Sequence, residues 1–324
     1  GRYKELQWLQ LMLGRTWIAE IEKTIPAIPT RQPSCLTIIE EDEIIGFTIL
    51  KPKNRKGTCW EIKIPELIKE STECKKKVIY QRVLQKAINL KNNLAHSWLI
   101  KSDISNTDQI AIARELGFQP LKLFKCWAID DRKEGRIGEA IELPNEFEWK
   151  PMTDLNVSII WPQVKSGQSQ NLRHILDRNY TDLLLENNKG CGLIIQKTKK
   201  ESAIISIVGA SNSLRVKSLE IVRGAAWDSR ITQVLPWVLQ NLKNKHSKLI
   251  LESNSEDNKL NTCLTNNGCE LETEKMLLGR TLWRRQSSKG IIKGAKSIES
   301  MMERLQPQSP PLPTPTEGRS YKDV

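Results

Sequence analysis

The chain has 324 residues, of which 39% are hydrophobic and 27% charged, with a formal net charge of +12. That composition supports real apolar cores, and no apolar run approaches the ~20 residues of a membrane helix, so no membrane association is expected. The basic residues form no block longer than Lys75 to Lys77 and are not interleaved with aromatics, so the charge reads as spread over solvated faces and nucleic acid is not expected as a partner.

Seven cysteines (Cys35, Cys59, Cys74, Cys126, Cys191, Cys263, Cys269) and three histidines (His96, His174, His246) are scattered and never spaced CxxC. That argues against a metal site and for free thiols in a reducing cytoplasm.

Residues 3–24 carry helical apolar spacing interrupted at Gly14, and three prolines break structure over 24–33. Two apolar runs, 35–42 and 43–51, predict a hairpin, and 58–67 a third strand. A helix follows over 71–93 with Ser71 or Thr72 at its start, then a buried strand over 95–102. The stretch from Ser105 to Trp127 reads as a short helix capped by Asn106, with Gln109 completing a capping box. Gly117 supplies a left-handed stop, Phe118 packs under the turn, and an alternating strand follows. Polar residues with Gly135, Gly138, Pro144 and Pro151 then read as a crossing segment.

The second half repeats the order. Helix is expected over 171–187, a hairpin over 190–211, a strand over 214–224, a helix over 228–245 stepped at Pro236, and a strand over 247–255. Helix, glycine and strand close the half. Gly268 falls on Gly117 and Ser253 on Ser102 at one offset of 151 residues; Gly192 falls on Gly46 at 146, and Leu219-Glu220 on Trp60-Glu61 at 159. Residues 295–305 suggest a short amphipathic helix, and the proline-rich tail from Gln306 a disordered segment. The tryptophans, Trp60, Trp98, Trp127, Trp227 and Trp237 among them, sit in apolar runs and read as core.

The element order of each half and the glycine-phenylalanine turn at Gly117-Phe118 resemble the GNAT acyltransferase superfamily over about residues 1–130 and 170–285. The resemblance implies an α/β fold of two tandem GNAT-like domains with mixed, mostly antiparallel sheets flanked by helices. The expected boundaries are 1–130 and 166–286, with 131–165 connecting and 287–324 as helix and tail. It implies acetyl-CoA or another acyl-CoA as cofactor, with its arm between splayed strands and its pyrophosphate on the amides of a helix N-terminus. The first-half loop over 68–77 has no glycine; in the second half the matching positions are Val222, Arg223, Gly224, Ala225 and Ala226. Glu220 and Glu61 stand where the family places a strand glutamate as base. The family's tyrosine acid would fall at Ala113 and Leu264, which cannot donate a proton. The implied function is transfer of an acetyl group to an amine on a small molecule or protein. The alternative is a GNAT-derived binding or scaffold protein that has lost its cofactor, with partner docking through the C-terminal helix and tail.

Overall fold

The computed structural model describes residues 33–40, 43–68, 73–89, 95–129, 141–187, 190–210, 217–245 and 249–282. The expected helix over 3–24, the helix starts Ser71 and Thr72, and the tail with its helix over 295–305 lie outside the described residues.

The first half opens with a hairpin, β1 (Ser34–Glu40) and β2 (Glu43–Pro52), followed by β3 (Cys59–Ile62) and the two-residue β4 (Glu66–Leu67). The strand expected over 58–67 is therefore two pieces. Helix α1 (Glu73–Asn89), strand β5 (Ser97–Asp103), helix α2 (Thr107–Glu115) and strand β6 (Gln119–Ile129) complete it. Next come β7 (Phe147–Pro151), α3 (Val157–Ser166), α4 (Gln170–Leu176) and a 3-10 helix over Tyr180–Glu186. Then follow β8 (Gly192–Gln196), β9 (Lys199–Gly209), β10 (Lys217–Arg223), α5 (Ile231–Lys245), β11 (Leu249–Asn254), α6 (Asn258–Asn266) and β12 (Cys269–Thr281).

The α/β class and the mixed, mostly antiparallel sheet are as expected: among the described residues only β3–β5 and β10–β11 pair parallel. The halves do not, however, close as two sheets. One sheet runs β1-β2-β3-β5-β12-β6-β11-β10-β9-β8-β7. Each half's last strand pairs across the boundary, β12 beside β5 and β6 beside β11, while β6 and β12 pair with each other. This joining covers backbone edges that separate sheets would leave unpaired. The region expected to connect, 131–165, instead contains β7 and most of α3, whose Val157, Ile160 and Val164 are buried in the core of the second half.

The repeat is written into the registers. Under the 151-residue offset α2 and α6 have the same bounds. The pair Phe124–Lys275 maps onto itself, and the two bulges between β6 and β12 leave out Leu121 and Glu272, which are counterparts. The other two sequence offsets do not survive. Ile62 pairs with Ile100 and Leu219 with Leu251, so Leu219 is the counterpart of Ile62, and Glu61 and Glu220 are not counterparts. Gly46 lies on the second strand of its hairpin and Gly192 on the first of its own.

The helix stop is as read: Gly117 has φ +85° and Gly268 φ +82°. Phe118 is buried and its amide donates to the Ala113 carbonyl, closing the turn. The capping box is not formed. Asn106 makes no side-chain cap, and Gln109 instead accepts a hydrogen bond from Ser102 at 3.1 Å. A Cβ on Gly117 would meet nothing closer than the Arg280 side chain at 3.8 Å, so Gly117→Ala should cost only its left-handed backbone, about 1–2 kcal/mol of unfolding free energy by urea denaturation. Trp60, Trp98 and Trp127 are buried, with the Trp127 indole N–H donating to Ser253 at 2.8 Å, as core residues should.

Candidate functional site

The parallel ladder between β10 and β11 ends at Glu220–Glu252. Beyond it β10 continues through Ile221, Val222 and Arg223 with only β9 at its side, while the end of β11 pairs with β6. The strands therefore diverge, and a cavity of about 230 Å³ opens in the gap. It is lined by Glu220, Val222, Arg223, Gly224 and Ala225 from the sequence reading, and not by Ala226.

Glu220 sits at the inner end, bonded to Lys122 of β6 at 2.9 Å. Burial works against its charge, but Lys122 and then Lys101 outweigh that and hold its carboxyl below the usual range. It is an anion poised to hold an ammonium, and a weak proton acceptor. Glu61 does not line this gap and meets Glu220 only across the inner cavity described next: it is 2% exposed and paired with Lys53 at 3.3 Å and Lys63 at 3.2 Å. Ala113 and Leu264 are buried in the apolar cores, so neither supplies a proton.

Lys122 and Glu220 also line a second, inner cavity of about 70 Å³. The two sides of that cavity come from different halves. The loop after β2 is pinned to the segment after α4: Asn54 donates to the Leu176 carbonyl at 2.8 Å, and the Arg55 amide to Asp182 at 2.7 Å. Asn179 and Asp182 form a reciprocal capping box that starts the 3-10 helix and so places Glu186. Glu186 takes Lys53 and, at 2.9 Å, Arg178; burial opposes its charge, but Lys53 and Arg178 hold its carboxyl far below the carboxylate range. Lys101 pairs with Glu252, its own counterpart under the 151-residue offset, and lies 3.9 Å from the centre of the Phe124 ring.

Lys53, Lys101, Lys122, Arg178 and Glu186 were not found by sequence reasoning. The faint signal was Lys101 and Lys122 inside otherwise apolar strands; nothing local marks Arg178 or Glu186. The thiols offer no nucleophile here: burial pushes Cys59 and Cys126 up to about 11 and Cys269 up to about 12. Among the described residues no group of His, Cys, Asp or Glu could hold a metal ion.

At the outer end, the amides of Ala225, Ala226 and Trp227 make no hydrogen bond among the described residues, and a Cβ on Gly224 would meet open space. This fits the approach of an anion. The arginines fit it less well. Arg223 is held in a bidentate pair by Asp257 at 2.7 and 2.8 Å and bonds the Gly224 carbonyl at 2.8 Å. Arg230 is held by Asp228, which also accepts the Arg230 amide at 3.0 Å just ahead of α5. The gap and its amides thus suit a pantetheine arm and a phosphate, while Asp228 opposes the phosphate charge. Asp228→Asn keeps a capping oxygen and removes that charge, so a phosphate-bearing ligand such as acetyl-CoA placed in this gap would bind roughly two- to fivefold tighter to the variant by calorimetry.

No family model matches the sequence, and no curated protein does. Solved structures do. A GCN5-related N-acetyltransferase from Sphaerobacter thermophilus superposes with a TM-score of 0.51 at 12% identity, over 81% of this chain and 85% of that one. A Drosophila protein gives 0.50 at 10% identity, over 85% and 90%. A tandem GNAT protein from the clavulanic acid biosynthesis pathway gives 0.49 at 10% identity, over 78% and 84%. The chain shares the fold of that GCN5-related N-acetyltransferase.

Proposed function

We propose that the chain is an acyl-CoA-dependent N-acyltransferase that works through its second half. The observation that carries this is the gap where the β10–β11 ladder ends, with Glu220 at its inner end and the loop from Arg223 at its outer end. The free side of β10 past Glu220 offers strand-type hydrogen bonds to an extended arm, and the unbonded amides from Ala225 onward would be available to its phosphates. Bound acyl-CoA would supply a thioester whose sulfur departs as a thiolate without a proton from the protein. Glu220 holds the acceptor's nitrogen beside that thioester, and the Lys122 pair keeps Glu220 in place. The first half supplies β6, and with it Lys122, and so shapes the acceptor side. The reading is cytoplasmic; among the described residues no helix is long and apolar enough to cross a membrane.

Calorimetric titration of the full chain with acetyl-CoA tests it. Saturable heat at micromolar concentrations is expected; no heat at high micromolar concentration, from protein that melts cooperatively, overturns it. That result would favour the second reading, a GNAT-derived binding protein, whose supporting observation is the engagement of Arg223 and Arg230 by Asp257 and Asp228.

A further inference from the structure

The inner cavity carries both signs of charge on a wall that also includes five leucines. Lys53, Lys101, Lys122 and Arg178 face it together with Glu61, Glu186 and Glu220. A ligand of one sign would be opposed by three or four of these charges, and a neutral one would leave charges unsolvated.

With Lys101 held by Glu252 outside the lining, the hydrogen bonds of these groups leave one charged-group atom of each sign over. Glu220 accepts Lys122 on Oε1, and its Oε2 has no hydrogen bond among the described residues. Arg178 donates from Nε to the Lys53 carbonyl and from Nη2 to Glu186, and its Nη1 has no partner among the described residues. A free carboxylate oxygen and a free guanidinium nitrogen on one cavity suit an ammonium and a carboxylate on one molecule. Size narrows the class. A volume of about 70 Å³ holds on the order of five waters, which matches a glycine or an alanine.

We infer that the inner cavity binds a small zwitterionic amino acid, its ammonium on Glu220 and its carboxylate on Arg178. Glu220 borders both cavities and Arg178 only the inner one, so the amine faces the gap between β10 and β11. Resting on the acyltransferase reading, that amine is the acyl acceptor. Its nitrogen forms the bond to the acyl carbon as the carbon–sulfur bond breaks, and the electron pair leaves with sulfur. Of the two protons the ammonium gives up, one ends on sulfur and one in water.

The test is calorimetric titration of the full chain, without acyl-CoA, using glycine, L-alanine, ethylamine and propionate. Glycine and alanine should bind roughly tenfold or more tighter than ethylamine or propionate, since each of those lacks one charged contact. Glu220→Gln, with its melting checked, should weaken glycine to the level of propionate. Propionate binding as tightly as alanine overturns the inference in favour of a plain anion site; so does glycine and alanine showing no heat at millimolar concentration. Acetyl-CoA is titrated separately. If it binds and the amino acids do not, the inference falls and the acyltransferase reading stands. If the amino acids bind and acetyl-CoA does not, the site stands and its role as acceptor site falls with that reading.

Discussion

Glu186→Ala lowers the unfolding free energy by about 3–5 kcal/mol in urea denaturation at neutral pH. The carboxylate is 4% exposed and holds Lys53 and Arg178, whose side chains are each 9% exposed, with Lys51 at 3.7 Å. Removing it leaves Arg178 without a carboxylate partner and Lys53 with Glu61 alone at 3.3 Å, both in a low-dielectric interior, which is why the cost exceeds that of a surface pair. The contrast is Lys56–Asp177, whose side chains are 60% and 46% exposed; Lys56→Ala should stay within about 1 kcal/mol. The pH dependence has a definite sign. The folded-state pKa of Glu186 is depressed below its ordinary 4.5, so its stabilisation is fully present above that value and is lost as pH falls through the folded pKa. The urea midpoints of wild type and variant therefore differ most above pH 4.5 and converge in acid.

Gly209→Ala destabilises the protein by about 3 kcal/mol. A Cβ at this position would lie 1.9 Å from the Glu186 carbonyl oxygen and 2.8 Å from its carbonyl carbon. Both are backbone atoms of the 3-10 helix, so the clash cannot be relieved by turning a side chain. Either β9 leaves its neighbours or the helix carrying Glu186 moves. Gly224→Ala is the matching control, since a Cβ there meets nothing within 4 Å, and it should change stability by no more than about 0.5 kcal/mol. Thermal melts of the two variants side by side separate close packing from a general effect of replacing glycine.

Most single elements were legible because their cause is local. The hairpin β1–β2 follows from two apolar runs around acidic residues, and the strand from Ser97 to Asp103 from a continuous buried run. The stops at Gly117 and Gly268 follow from a backbone conformation that glycine adopts without cost. The Gln109 capping box failed because Ser102, on a neighbouring strand, claims the same side chain. The pairing of Glu61 with Glu220 failed because strand register depends on the partner strand, and a slip of two residues keeps the same face and leaves no trace in a hydrophobic pattern.

The sequence by itself determined the order of most elements and the repeat at 151 residues, and singled out Glu220 and the loop from Arg223 as candidates. All of these rest on spacing along one chain. Only the tertiary structure decided that the last strands cross between halves to make one sheet, and that Lys122 from the first half meets Glu220 of the second. It alone decided that Arg178 and Glu186 close an ionic cavity against Lys53, across separations of more than a hundred residues. Charge pairs of this kind are selected by position in space after the backbone has folded, and nothing in the neighbouring sequence marks them.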